Sequence, residues 1–317
     1  MESVLSESEH RVSPTLITIA IVIAILAVST SSIFIRFAQR DAPSLVIAAS
    51  RLILATLFLA PVALTRHRDE LRALTHRELL LGLLSGIFLA FHFAAWITSL
   101  EYTTVASSVV LVSTSPLWVA ILAPTLLREP LTKVVVIGMA LTLIGVTIIG
   151  LGDACTLTNG LACPSLVDFV QGEAFYGNFL ALIGAWTVAG YLIIGRRMRV
   201  KMSLIPYIFV VYGMAAITLL VIIFATGGTF FGYQPMTYLW LLLIAIFPQL
   251  IGHSTYNWAL RYLPVALVAV TTLAEPIGSS ILAFIVLREI PSLLQIIGGI
   301  LILTGIYITS RTETTSA

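Results

Sequence analysis

Apolar runs of roughly 20 residues recur along this chain, separated by short charge clusters such as RHRDELRALTHRE (66–78) and RRMRVK (196–201). A helix rising 1.5 Å per residue crosses a hydrocarbon layer of about 30 Å in that length. Inside lipid every backbone N–H and C=O must be bonded within the structure, and an isolated apolar segment manages this only as a helix. Composition points the same way. Of 317 residues 59% are hydrophobic and 10% charged, with a mean hydropathy of +1.05; soluble domains are about a quarter charged. A water-surrounded globule is excluded, and the chain is predicted to be an all-α integral membrane protein.

Ten spans are predicted, at 16–37, 45–65, 79–99, 104–127, 133–151, 174–195, 204–226, 237–259, 264–287 and 293–310. With the N-terminus placed inside, 13 of the 17 Lys and Arg residues fall on the inner side. Only Arg36, Arg40, Arg51 and Arg288 fall outside or in the outer half of a span. That asymmetry predicts two cytoplasmic tails, 1–15 and 311–317, on a multi-pass protein of the plasma (inner) membrane. MESVLSESEHRVS carries more acid than base and no small-residue cleavage site, so the first run is expected to be a retained helix.

The segment 152–173, GDACTLTNGLACPSLVDFVQGE, is then an external linker and holds both cysteines. Cys155 and Cys163 are expected to oxidise to a disulfide there, the alternative being two free thiols. The linker divides two similar halves, 16–151 and 174–310. Shifted by 160 residues, Leu100–Glu129 matches Leu260–Glu289 at 12 of 30 positions, Tyr102/Tyr262, Pro116/Pro276 and the LRE triplets among them. Gly138/Gly298 and Gly145/Gly305 continue the register. Five spans per unit force the second copy to enter from the opposite side, giving two inverted five-helix repeats. Secondary transporters use that arrangement, with the solute site near the midplane between repeats.

These residues resemble a known family. LREPLT (127–132) followed by the Gly-spaced KVVVIGMALTLIGVTIIG (133–150) resembles an EamA unit. LREIPS (287–292) with GGILILTGIYI (298–308) resembles a second copy, and SSIFIRFAQRDAPSLVIAASRLILA (31–55) resembles the first two spans. The resemblance is to EamA-type transporters of the drug/metabolite transporter superfamily and covers nearly the whole chain. It implies a central cavity formed by spans 1–4 and 6–9, and ATP-independent alternating access for amino acids, nucleosides, sugars or drugs. Many members have Trp-Gly early in the first span where this chain has STSS (29–32), so first-span contacts are not carried over.

Polar residues in the spans supply the candidate site. Gln249, His253, Tyr256 and Asn257 share one helical face of span 8 and are expected to line the solute cavity. His92 and Trp96 form a sparser stripe on span 3, and Trp186 and Tyr191 lie on span 6. His253 can be a coupled-proton carrier or a structural donor. Arg51 can snorkel, or serve as counter-charge to an acid or to a solute carboxylate. Glu275 stands beside Pro276 in the apolar tract TTLAEPIGSS (271–280), near mid-span. Pro276 and its repeat mate Pro116 are expected to kink their helices and act as hinges. Ser115 stands where Glu275 stands in the other half, so the acid serves something particular to one half. Either it bonds a neighbouring helix, through Arg51 or Tyr212, or it binds a cationic solute group or the coupled proton.

No GxxxxGK[ST] loop, dinucleotide loop or metal-ligand spacing occurs, so no cofactor and no metal are expected. The basic clusters flank spans and do not form a nucleic-acid surface. The expected partners are a small-molecule solute, protons as a candidate coupling ion, and membrane lipids; the oligomeric state is open. The first functional reading is a non-enzymatic secondary transporter, an exporter of a small organic metabolite. The alternatives are an integral-membrane enzyme acting on a lipid-linked substrate, and a channel.

Overall fold

Ser13 begins the first helix by accepting a hydrogen bond from Leu16 N at 3.2 Å, and Pro14 follows where no N–H is needed. The computed structural model describes residues 13–126, 133–154, 165–263 and 265–314, and every element among them is helical. Cys155, Cys163 and the LREPLT segment lie outside the described residues.

The first half comprises α1 (Pro14–Ser29), α2 (Ser31–Ala38), α3 (Ser44–Arg66), the short α4 (Arg68–Arg72), α5 (His76–Tyr102), α6 (Val105–Val112), α7 (Ser115–Leu126) and α8 (Lys133–Ala154). A short α9 (Leu166–Gln171) leads to α10 (Glu173–Arg199), α11 (Leu204–Ala225) and α12 (Pro235–Ile244). A widened π-helical stretch, Ala245–His253, then runs into α13 (Ser254–Ala259). The chain finishes with α14 (Val265–Thr271), α15 (Ala274–Leu282), a second π stretch (Ala283–Leu287) and α16 (Leu293–Thr314).

Seven stretches among the described residues are long and apolar enough to cross a membrane: Pro14–Ala38, Ser44–Arg66, His76–Tyr102, Val105–Leu122, Glu173–Arg199, Leu204–Ala225 and Pro235–Ala259. The predicted fifth, ninth and tenth spans correspond to shorter apolar helices within Val136–Ile149, Ala274–Leu287 and Leu293–Gly305.

Spans 1, 4 and 9 are interrupted, and in spans 4 and 9 the interruption directly precedes a proline. In the STSS tract the Ser29 and Thr30 hydroxyls bond back to Ile25 O and Ala27 O at 2.8 and 2.7 Å, and α1 ends there. The chain turns at Ser113–Thr114 before Pro116, and at Thr272–Leu273 before Pro276. Both prolines occupy the first turn of the helix that follows, where a missing N–H costs nothing. The expected kink is therefore a full break. The Thr272 carbonyl accepts from Glu275 N at 3.0 Å.

Packing pairs the halves reciprocally. The third span of the first half, α5, packs on the first of the second, α10; the π stretch in span 8 packs on α1. Likewise α6 packs on α10, and α15 packs on α1. The last helices of the two halves, α8 and α16, lie against each other and run antiparallel. A Cβ added at Gly145 would stand 2.6 Å from Gly298 O, one at Gly298 would stand 2.7 Å from Gly145 O, and one at Gly305 would stand 2.5 Å from Gly138 O. Only glycine permits backbones to approach so closely. Gly298→Ile is expected to cost about 3 kcal/mol, since overpacking here meets backbone instead of a movable side chain. Gly299→Ile is the control, because a Cβ there meets nothing nearer than Val110 Cγ2 at 3.9 Å. Thermal unfolding in detergent checks this, and equal losses in both variants contradict the crossing.

Candidate functional site

The break at Thr272–Leu273 starts a new helix whose second residue is Glu275, and the break at Ser113–Thr114 starts one whose first residue is Ser115. These two repeat mates face a common cavity of about 50 Å³. His92 and Trp96 from α5 line it, with Tyr191 from α10, His253 and Tyr256 from span 8, and Thr272. The His92 and Trp96 rings stack at 6.0 Å and 14°. His92 Nδ1 lies 2.9 Å from Gly184 O, a group that only accepts, so this nitrogen carries the proton.

Several polar groups around the cavity lack partners. Tyr256 Oη and Trp96 Nε1 are buried without a hydrogen bond, and no hydrogen bond or ion pair among the described residues holds the Glu275 carboxylate. Neither Arg51 nor Tyr212 hydrogen-bonds or ion-pairs directly with Glu275 among the described residues, although Arg51 lies close enough to attract the carboxylate through space. Buried polar groups in folded proteins are otherwise nearly always satisfied. An acceptor carboxylate, a phenol and an indole donor around one cavity are complementary to a guest that is both cationic and polar. Among the described residues, no His, Cys, Asp and Glu cluster is arranged to hold a metal ion.

Seven of the residues singled out from sequence therefore meet at the cavity: His92, Trp96, Ser115, Tyr191, His253, Tyr256 and Glu275. Gln249, Asn257 and Arg51 do not line it. They form a fully buried layer behind it, and a chain of hydrogen bonds joins them. Tyr191 Oη donates to Asn257 Oδ1 at 2.5 Å, and Asn257 Nδ2 donates to Tyr212 Oη at 3.3 Å. Tyr212 Oη meets Ser254 Oγ at 3.2 Å, and Ser254 Oγ donates to Gln249 O at 3.2 Å. Arg51 Nε donates to Gln249 Oε1 at 2.5 Å and Arg51 Nη1 to Ser31 Oγ at 3.1 Å. The guanidinium lies 4.0 Å from the centre of the Phe93 ring, which is 5.2 Å from His253 on the cavity wall. The π stretch explains how span 8 divides its polar residues: each π turn holds an extra residue, so positions that share a face of an ideal helix rotate apart. Trp186 is 56% exposed on the outside of the bundle, edge-on to Trp118 at 5.0 Å, and takes no part in the site.

The sequence reading did not anticipate the cross-links made by Arg36, Arg196 and Arg199 that close each end. At one end Arg36 Nη2 lies 3.3 Å from Glu289 Oε1 and donates to Thr103 O at 2.9 Å. Glu289 Oε2 accepts from Val105 N, the first amide of α6, at 2.9 Å. Span 1, span 4 and the end of span 9 are thereby tied together. At the other end Arg196, 160 residues after Arg36, donates to Leu260 O at 2.5 Å, and Arg199 Nε donates to Asn257 O at 2.9 Å. The repeated arginine after 160 residues was a legible signal for this device.

Comparison with known proteins agrees with the two-part plan. The sequence matches the EamA-like transporter family over residues 15–151 and again over 175–311. Two proteins of Archaeoglobus fulgidus named as uncharacterized transporters are similar to it. One is 26% identical over 73% of this chain and 74% of its own length, the other 24% identical over 92% and 95%. The uncharacterized transporter YdfC of Bacillus subtilis is 22% identical over 70% of this chain and 68% of its own. A solved crystal structure shares the fold, with a TM-score of 0.66 at 18% identity over 96% of this chain and 99% of that one. Two family matches, multiple membrane-crossing helices and relatives named as transporters together place the chain: it is a multi-pass membrane protein that belongs to the EamA-like transporter family.

Proposed function

We propose that this chain is a secondary transporter that exports a small amine-bearing organic solute, an amino acid or drug-like molecule, across the plasma membrane. Transport needs no ATP and proceeds in exchange for protons or by facilitated diffusion. Ten helices in two inverted repeats alternate access to the cavity, with both termini cytoplasmic. The observation that carries this reading is the Glu275 carboxylate, held by no direct hydrogen bond or ion pair among the described residues, beside the unsatisfied Tyr256 Oη and Trp96 Nε1.

The antiparallel crossing of α8 and α16 at repeat-related glycines supports the inversion. Cavity size supports alternating access. The central space of about 50 Å³ holds a water or two, whereas small-molecule sites run from about 300 Å³. Admitting a solute requires the helices to separate on one side, and the breaks at residues 30, 113–114 and 272–273 supply places to bend. The polar groups lie deep among the spans, not at headgroup level where a lipid-linked substrate would present itself. This favours transport over enzymology.

The test is flux in proteoliposomes loaded with primary-amine solutes. Saturable uptake, accelerated by unlabelled solute inside, is expected; non-saturating flux would indicate a channel, and altered product an enzyme. Tyr256→Phe should weaken solute binding about tenfold, the value of one hydrogen bond to a charged or polar guest. Its folding should be unchanged, because Tyr256 Oη has no partner to lose. Tyr212→Phe should do the reverse, destabilising the fold by about 1–3 kcal/mol with little effect on affinity. Thermal unfolding and solute titration of both variants separate the two roles.

A further inference from the structure

The recess of about 480 Å³ at the His76 end of α5 takes no part in the proposed transport path. Its wall is apolar, formed by Leu74, Leu81, Met198 and Met202, and its cations are Arg77, Arg197 and Lys201. Glu70 and Glu78 also line it, but both are committed to helix starts. Glu78 Oε2 accepts from Thr75 N at 3.0 Å and Thr75 Oγ1 at 2.8 Å, completing the capping box of α5. Glu70 accepts from Ser203 N at 2.7 Å and from the Ser203 hydroxyl at the start of α11. Burial pushes the Glu70 carboxyl up, yet the hydrogen bonds from Ser203 and His67 outweigh it and keep Glu70 below its ordinary value. None of the three cations makes a direct ion pair among the described residues; Lys201 is attracted to Glu78 only through space.

The recess also lies where apolar spans meet the charged clusters 66–78 and 196–201, the level of lipid headgroups. Three cations without a direct ion pair beside a Leu and Met wall suit a ligand with a phosphate at one end and hydrocarbon at the other. We propose that this recess is a binding site for an anionic phospholipid of the adjoining leaflet, its phosphate held by Arg77, Arg197 and Lys201 and its first acyl carbons lying on Leu74, Leu81 and Met198. A free phosphoryl compound would engage the cations and leave the apolar wall uncovered.

Full-length protein, stripped of lipid in mild detergent, can be titrated with phosphatidylglycerol, phosphatidylcholine or glycerol 3-phosphate and its intact mass read by native mass spectrometry. One phosphatidylglycerol per chain is expected to persist under conditions that remove phosphatidylcholine. The triple variant Arg77→Gln, Arg197→Gln, Lys201→Gln should retain it at least about tenfold less well, because each cation near an anionic headgroup contributes a several-fold factor. The matched triple Arg66→Gln, Arg68→Gln, Arg72→Gln should retain it like the wild type. Equal retention of both lipids overturns the proposal, as does equal loss in both triples, which would mean diffuse surface charge. Displacement of phosphatidylglycerol by equimolar glycerol 3-phosphate overturns it in favour of a free-phosphate site. Should the first triple not fold, the wild-type comparison of the three ligands decides the matter alone.

Discussion

Glu275→Gln is expected to lower transport of an amine-bearing solute by about 30-fold or more, the effect of removing one partner of a desolvated charge pair, at about 2–5 kcal/mol. The fold should be preserved. The amide is nearly isosteric, and no hydrogen bond or ion pair among the described residues depends on the carboxylate. Removing the charge breaks no direct bond in the resting structure, costs only the through-space attraction to Arg51, and abolishes the electrostatic match with a cation. A neutral solute of the same shape should lose far less, so the ratio of the two fluxes reads the carboxylate directly. Flux assays with an amine and its hydroxyl analogue, beside a melting curve, check the result. Unchanged flux ratios in Glu275→Gln would remove this residue from the solute path.

Arg51→Lys is expected to be the costliest conservative replacement in the chain, at about 2–4 kcal/mol of stability. Arg51 is fully buried, bonds Gln249 and Ser31 through two different nitrogens, and holds its guanidinium over the Phe93 ring at 4.0 Å. A guanidinium does all three because it is planar and forked. An ammonium is a strongly hydrated point charge that gains the Gln249 bond only by losing the others. Arg51→Met removes the charge and leaves Gln249 Oε1 unsatisfied, so it should also destabilise while keeping some of the packing on Phe93. Chemical or thermal unfolding in detergent ranks the variants. A Lys variant as stable as the wild type would mean that the buried layer behind the cavity does not hold spans 1, 2 and 8 together.

Much of this architecture was legible in the sequence. Apolar run length marked the uninterrupted spans α3, α5, α10 and α11, because length and hydropathy suffice when a helix is continuous. The isolated acid in TTLAEPIGSS identified Glu275 for the same reason: lipid makes a lone carboxylate conspicuous. The register of Gly138, Gly145, Gly298 and Gly305 marked the repeat, although only the structure shows them meeting across α8 and α16. The breaks were harder to find. Hydropathy carries no periodicity in segments apolar on all sides, so nothing distinguished a kink at Pro276 from a turn at Thr272–Leu273. The division of the span 8 face was hidden because an ideal helical repeat was assumed where the backbone is π-helical. Trp186 illustrates a different limit: a large aromatic on a span suits a cavity and a lipid-facing surface equally well. The Arg36–Glu289 link joins residues more than 250 positions apart, and only the fold brings such residues together.

Alternating access to the Glu275 cavity is the central claim, and it can be measured without knowing the solute. Ser115→Cys places a thiol on the wall of the cavity that Glu275 also lines, in a background with Cys155 and Cys163 replaced by serine. Its reaction with a membrane-impermeant thiol reagent is timed from each side of sealed vesicles, with and without Glu289→Gln, which cuts the Arg36–Glu289 link. Opening the Arg36–Glu289 end should raise the rate from that side and lower it from the other, since one cavity cannot open both ways at once. Rates that rise together from both sides, or a thiol that reacts from neither in any background, would contradict it.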